Sequence, residues 1–195
     1  DRGPDVPAAR RYPHDAVQPD GNVLAQLGAR GLALESIGHV VFTHLHADHH
    51  GMHDAKDGGV AEELPRAVLH VSRRGWEDNV SRRDGDSWGS YVDYAFGDFL
   101  LRRQQQGRVR FADNAEVFPG LRTVYLGGHS VCSQAVVVET AAGPVVIASD
   151  DVYLYWLLEG GSVPQIRTSV EAYRGAIDRL IARARRDRAI LVPLH

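Results

Sequence analysis

The chain has 195 residues and a formal net charge of −3 at pH 7, and 44% of its residues are hydrophobic. This size and composition favour one soluble domain with a substantial core. Acidic and basic residues are interspersed rather than grouped, so no nucleic-acid or membrane-surface partner is indicated. No apolar run reaches the roughly 18 residues that span a bilayer, so we expect a cytoplasmic protein. The single cysteine, Cys132, cannot form an internal disulfide and is expected to be a small buried residue.

The N-terminal part of the chain alternates loop, helix and strand signals. The first 22 residues are rich in proline, aspartate and glycine and are predicted to form a loop. Residues 22–33 have the apolar spacing of a short helix. Residues 37–42 and 67–71 are mostly β-branched and apolar, which predicts two buried strands.

Residues 72–106 differ in composition from the rest of the chain, because aromatic residues alternate there with arginine and aspartate. We predict helices, or a helix with a lid. Aromatic residues at helical spacing usually lie in a core, and an aromatic wall facing a substrate is the alternative. The segment could also form a homodimer contact. The aromatic residues are Trp76, Trp88, Tyr91, Tyr94, Phe96 and Phe99.

The C-terminal half has a strand pattern followed by one helix and a last strand. A run of hairpins is predicted to form a sheet, with glycine or proline between the strands. A helix is predicted from its cap at Ser169 through Arg186, followed by a strand over 189–192. No repeat or linker divides the sequence, so residues 1–195 are predicted to form one domain. The predicted hairpin strands are 109–111, 116–118, 122–126, 134–139 and 145–148.

The histidine-rich stretch after the first predicted strand carries the clearest chemical signal. Residues 43–51 read Thr-His-Leu-His-Ala-Asp-His-His-Gly. His44 and His46 alternate and can point the same way, whereas Asp48 and His49 can turn toward a second point nearby. This geometry suits two metal ions. Imidazole and carboxylate donors bind zinc, iron, manganese or cobalt, and the lack of thiolates favours a catalytic site over a structural one.

Three further candidate ligands each follow a predicted strand. His129 follows the strand at 122–126, Asp150 follows the strand at 145–148, and His195 follows the last strand. Loops at strand ends are where an α/β scaffold gathers its functional residues. Each signal is weak alone, because glycine, histidine and aspartate are common in turns. Together with the histidine-rich stretch they predict one metal site.

This series of ligands resembles that of the metallo-β-lactamase superfamily of metallohydrolases. The resemblance covers nearly the whole chain and implies an α/β fold, the αββα sandwich. It implies two divalent metal ions, with zinc expected and iron, manganese or cobalt as alternatives. One metal would be held by His44, His46 and His129, the second by Asp48, His49 and His195, and Asp150 would bridge them. Relative to this family, the sequence is expected to lack the first N-terminal strands and a C-terminal extension.

Within the superfamily the sequence most resembles the N-acyl-homoserine lactonases. Tyr153 lies three residues after the bridging aspartate, where these enzymes carry a tyrosine that binds the substrate carbonyl, and residues 117–121, Val-Phe-Pro-Gly-Leu, match their turn before the third histidine. The resemblance implies that a lactone or related ester is hydrolysed by a hydroxide that the metals share. Tyr153 and the metals would stabilise the oxyanion, and Asp48 or Asp150 would transfer the proton. Alternatively, Tyr153 is an aromatic side chain that only packs where the chain leaves the strand.

Other functions on the same scaffold stay open at this point. A glyoxalase-II-like thioesterase shares all seven ligands, but its basic C-terminal domain has no counterpart after His195. A mononuclear iron persulfide dioxygenase uses fewer ligands, and a metal-stabilised binding module needs no open coordination position. A class B3 β-lactamase is disfavoured, because Asp150 fills a position that those enzymes lack.

Asp151 is expected to accept hydrogen bonds from backbone N–H groups in its turn. The remaining histidines are expected to be surface or supporting residues: His14, His39, His50, His53 and His70.

Overall fold

The computed structural model describes residues 23–50, 61, 63–80, 94–165 and 167–194. Its strands form two sheets, one of three strands and one of five. The loop predicted for residues 1–22 lies outside the described residues. So do His195 and part of the predicted aromatic segment, residues 81–93.

The three-stranded sheet is parallel and carries the histidine-rich stretch at the end of its first strand. It consists of β1 (His39–Val41), β2 (Val68–Val71) and β3 (Val109–Phe111), in that order across the sheet. A short helix, α1 (Val23–Ala29), precedes β1 as predicted. Parallel strands need a long crossover connection, and helical segments provide it between β2 and β3. They are α2 (Arg73–Gly75), a π-helical turn (Trp76–Val80) and α3 (Tyr94–Gln105).

The first core forms where α3 packs on this sheet. On β2, Leu69 and Val71 are fully buried in this core. The aromatic side chains of Trp76, Phe96 and Phe99 are buried in it as well, so these three belong to the core. A lid within residues 72–106 stays a prediction, because residues 81–93 lie outside the described part.

Replacing Phe96 with alanine is expected to lower the free energy of unfolding by about 3–5 kcal/mol. The Phe96 ring is fully buried and contacts Phe42 edge-on, with ring centroids 5.5 Å apart. Urea unfolding measures the loss as a lower midpoint at an unchanged slope. Val170→Ala, at a side chain that is 41% exposed, should change the stability by no more than about 0.5 kcal/mol. Equal stabilities for the two variants would contradict this packing.

The five-stranded sheet is a meander of four antiparallel strands to which the last strand adds in parallel. Four of the five strands predicted to form consecutive hairpins lie in this sheet, and the exception is the strand over 109–111. That strand pairs with β2 in the other sheet, with Leu69 opposite Val109. The strands are β4 (Glu116–Phe118), β5 (Leu121–Tyr125), β6 (Gln134–Thr140), β7 (Gly143–Ile147) and β8 (Ile190–Val192).

A short helix, α4 (Tyr155–Leu158), precedes the long helix α5 (Val170–Asp187). The second core lies between this sheet and α5. The Ser169 side chain caps the helix by accepting a hydrogen bond from the Ala172 N–H at 3.0 Å, as the sequence predicts. The helix ends where Arg188 adopts a left-handed conformation, with φ 51°. Ala176 and Leu180 are buried from the helix side. Sheet residues of the second core are Leu126, Ala135, Val137, Val146 and Ala148.

The two sheets face each other, with one helix layer outside each sheet. Gln134 joins them: its backbone N–H donates to the Thr43 carbonyl at 2.9 Å, and its side-chain Nε2 donates to the Phe42 carbonyl at 2.8 Å. The architecture is therefore the expected αββα sandwich.

Cys132 is buried as predicted, and burial raises the pKa of its thiol. Among the described helices, none combines the length and apolar character needed to cross a membrane.

Candidate metal centre

The candidate ligands among the described residues lie on three loops, each of which follows the end of a strand. His44 and His46 follow β1, and Asp48 and His49 form the short 3₁₀ turn Ala47–His49. The loop after β5 carries His129, and the 3₁₀ turn Ser149–Asp151 after β7 carries Asp150. Because both sheets end their strands at one place, residues more than 100 positions apart in sequence come together.

His44, His46 and His129 form a first group of three imidazoles. One ring nitrogen from each lies within 4.8 Å of the others, and all three side chains are buried. His46 Nδ1 is 2.9 Å from His129 Nε2. Burial, followed by the neighbouring His129, lowers the pKa of His46 to about 4. His46 is therefore neutral at physiological pH, which is the state in which imidazole binds a metal.

A second group consists of His44, His49 and Asp150. The Asp150 Oδ2 atom is 3.2 Å from His49 Nε2, 3.6 Å from His129 Nε2 and 3.9 Å from His44 Nε2. One buried carboxylate oxygen thus faces imidazoles of both groups. Because the groups also share His44, they are two halves of one cluster.

Asp48 lies at the solvent side of this cluster. Its Oδ2 is 3.4 Å from His49 Nε2, and its side chain is 57% exposed, against 3% for Asp150. The hydrogen bond with His49 holds the pKa of Asp48 well below its usual range. Burial alone would lower the pKa of His49, but hydrogen bonds with Asp150 and Asp48 raise it to about 9. The predicted role of His195 stays a prediction, because that residue lies outside the described part.

The cluster fits a divalent metal by its donor chemistry. In the described residues, four imidazoles and one buried carboxylate converge, and Asp48 lies beside them. Nitrogen and carboxylate oxygen are the donors that zinc, iron, manganese and cobalt accept in catalytic sites. The imidazole nitrogens and the carboxylate oxygen also provide lone pairs that a metal cation can accept.

Residues beside the cluster orient its imidazoles, and only part of this arrangement is predictable from the sequence. His44 Nδ1 lies 3.3 Å from Thr43 Oγ1 and 3.4 Å from Ser149 Oγ, which leaves Nε2 facing Asp150. Ser149 adopts a left-handed backbone conformation, with φ 60°. Such a conformation is uncommon for serine, and strained backbone positions of this kind cluster at active sites. No residue pattern predicts it.

Tyr153 lies against His129. Its hydroxyl is 3.1 Å from His129 Nδ1, and the two rings meet edge-on with centroids 5.6 Å apart. Burial, followed by the charge of Asp150, raises the pKa of the Tyr153 phenol. The hydroxyl therefore stays protonated and can donate a hydrogen bond at any physiological pH.

The other described histidines lie apart from the cluster. His39 Nδ1 and His70 Nε2 are 3.0 Å apart on neighbouring strands. The His50 ring stacks on Phe96, with centroids 3.8 Å apart. These three are in neither group of converging donors. His14 and His53 lie outside the described residues.

The chain was compared with protein families, curated proteins and solved structures. The sequence matches no protein-family model and no curated protein. Solved structures do match. A quorum-quenching N-acyl homoserine lactone hydrolase superposes with a TM-score of 0.70 at 20% sequence identity, over 91% of this chain and 65% of that protein. A probable metal-dependent hydrolase from Staphylococcus aureus gives a TM-score of 0.74 at 18% identity, over 95% and 64% of the two chains.

A third match is AidC, a dizinc quorum-quenching lactonase in complex with the product N-hexanoyl-L-homoserine. It gives a TM-score of 0.65 at 12% identity, over 88% of this chain and 62% of AidC. The chain thus spans slightly less than two thirds of the length of each of these proteins. At such low identities the likeness is one of fold. The chain has the αββα fold of the metallo-β-lactamase superfamily.

Proposed function

We propose that this protein is a metal-dependent hydrolase that opens a lactone or a related ester, such as an acyl-homoserine lactone. The observation that carries the proposal is the position of Asp150. Its buried Oδ2 atom lies within 3.9 Å of three imidazole nitrogens that belong to two ligand groups. A carboxylate between two such groups suits a pair of metal ions. A lactone hydrolase and a dizinc lactonase among the matching structures support the substrate class.

The proposed site holds two divalent ions, of which zinc is the first choice. His44, His46 and His129 would bind one ion, and Asp150 would bridge to the other. Asp48, His49 and His195 would complete the second position. When bound, the two ions would acidify a water molecule toward a pKa of about 7 and offset the negative charge that develops on the substrate oxygen.

The two carboxylates differ in the proton transfers that they can perform. In the proposed reaction, water adds to the lactone carbonyl carbon, the ring C–O bond breaks, and the leaving oxygen takes up a proton. Asp150 is buried among imidazoles and suits the acceptance of a proton from the attacking water. Asp48 is more than half exposed and suits proton exchange with solvent.

Tyr153 is proposed to donate a hydrogen bond to the carbonyl oxygen of the substrate. With His129 Nε2 engaged as a ligand, its Nδ1 carries the proton and donates to the Tyr153 oxygen. The tyrosine's own proton is then directed away from His129. It can be donated to an oxygen that gains negative charge during the reaction.

Tyr153→Phe is expected to lower kcat for a lactone by about 10²–10³-fold, because one oxyanion donor contributes about 2.7–4 kcal/mol in other hydrolases. Metal content should stay at the wild-type value. Steady-state kinetics and elemental analysis measure the two effects. Tyr155→Phe is the matched control, since the Tyr155 hydroxyl donates to the Leu191 carbonyl at 3.0 Å on an exposed surface. An unchanged kcat for Tyr153→Phe would assign this ring to packing alone.

The proposed function is tested by hydrolysis of a small panel of substrates. The panel contains an acyl-homoserine lactone, a plain γ-lactone, an aryl ester, a thioester and a β-lactam. Lactone turnover that disappears with a chelator and returns with zinc supports the proposal. Turnover of the thioester alone would favour a glyoxalase-II-like thioesterase, whereas a single iron with oxygen consumption would favour a persulfide dioxygenase.

A further inference from the structure

Asp151 is a fully buried carboxylic acid beside the proposed metal centre. Its Oδ1 accepts a hydrogen bond from the His129 backbone N–H at 3.0 Å. Burial raises the pKa of Asp151 to about 6, although hydrogen bonds from Ser133 and from the backbone of His129 and Gly128 lower it. Burying a carboxylate costs free energy unless its hydrogen bonds compensate. The partners Gly128 and His129 lie in the loop of residues 127–130, here named the His129 loop, and Ser133 lies three residues after it.

The backbone of the His129 loop is closely packed against Asp151 and α5, and Thr168 binds two of its carbonyl groups. A Cβ atom at Gly128 would overlap Asp151 Oδ1 and would lie 2.8 Å from the Ala176 Cβ on α5. Glycine is therefore required where the loop passes between the carboxylate and the helix. On its other side, the Thr168 hydroxyl donates to the carbonyls of Gly127 and Gly128, both at 2.9 Å.

The backbone position of this loop sets the position of the His129 imidazole. His129 Nε2 lies 2.9 Å from His46 Nδ1 and 3.6 Å from Asp150 Oδ2. A ligand that reaches a metal over about 2 Å tolerates only small errors in its placement. Asp150 and Asp151 are consecutive in one 3₁₀ turn, so that turn carries one candidate ligand and fixes the backbone of another.

We propose that Asp151 is a positioning residue: its buried carboxylate holds the His129 loop and thereby places the His129 imidazole among the metal ligands. The proposal rests on the proposed metal-binding function of the cluster. It gives Asp151 a role in a loop 22 residues away in sequence. This corrects the expectation from the sequence that Asp151 accepts hydrogen bonds from N–H groups of its own turn, because the N–H that it binds belongs to His129.

The test is zinc binding by the full-length protein, measured by competition with a chromogenic chelator. Asp151→Ala is expected to weaken zinc binding by about 10–100-fold and to change the visible spectrum of the Co²⁺-loaded protein. Asp151→Asn should recover most of the affinity, because its amide oxygen can still accept the His129 N–H. Val137→Ala, which removes a buried methyl pair from the second core, is the control for loss of stability alone. Wild-type affinity and spectrum in Asp151→Ala would overturn the proposal.

A second readout does not require metal. In the metal-free protein, the ¹H–¹⁵N signals of the His129 amide and ring should shift in Asp151→Ala and stay in place in Val137→Ala. Unchanged His129 signals in Asp151→Ala would overturn the positioning role. If the wild-type protein binds neither Zn²⁺ nor Co²⁺, the proposed metal centre fails, and this comparison still decides the role of Asp151.

Discussion

Replacing His44 with alanine is expected to remove most of the bound metal and to lower lactone hydrolysis by about 10³-fold or more. His44 is a proposed ligand of the first ion, and its Nε2 also lies 3.9 Å from Oδ2 of Asp150, the proposed bridge to the second ion, so its loss is expected to weaken both positions. Metal ions contribute several kcal/mol to transition-state stabilisation in such hydrolases, and each 1.36 kcal/mol corresponds to about tenfold in rate. Elemental analysis of the purified variant and initial rates at saturating lactone measure the two effects.

His70→Ala is the matched control for this experiment. His70 is also a buried histidine, 6% exposed, and lies on β2 beside β1, but it pairs with His39 away from the cluster. This variant should keep the wild-type metal content and rate per folded molecule. Equal losses in the two variants would mean that His44 acts through stability and not through metal binding.

Asp150→Asn is expected to lower hydrolysis by a similar factor, about 10³-fold, and to reduce the metal content from about two ions to one or fewer. The substitution keeps the shape of the side chain and removes its charge. The change is large because the Oδ2 atom faces His44, His49 and His129 within 3.9 Å. Metal content and turnover are compared at equal concentrations of folded protein.

Asp187→Asn provides the control for the loss of one carboxylate charge. Asp187 ends α5 and pairs with Arg183 and Arg186 at the surface. Its replacement should leave metal content and rate unchanged. Full activity of Asp150→Asn with two bound metals would show that a neutral oxygen suffices at this position, and the proposed bridging carboxylate would be wrong.

The sequence predicts the parts of the fold that depend on local patterns. β1 and β2 lie within the predicted runs 37–42 and 67–71, since β-branched residues indicate strands. The helix after Ser169 begins at the predicted cap. The three described strand-end loops come together because the strands of each sheet carry them to one edge, as the position of the candidate ligands after strands predicts.

The remaining features depend on contacts between distant residues, which local patterns do not encode. The strand at Val109–Phe111 resembles its hairpin neighbours in sequence, but it pairs with β2 across the crossover. The left-handed backbone of Ser149 and the hydrogen bond from His129 to Asp151 likewise depend on packing between separate loops. Local periodicity carries no information on such pairings.

The most direct test of the proposed two-metal hydrolase is a titration of the metal-free protein with zinc while the opening of an acyl-homoserine lactone is recorded. The rate is expected to rise until about two equivalents of zinc are bound per chain and then to stay constant. A rate that is already maximal at one equivalent would contradict the dinuclear site. Two bound equivalents without lactone opening would contradict the proposed substrate class.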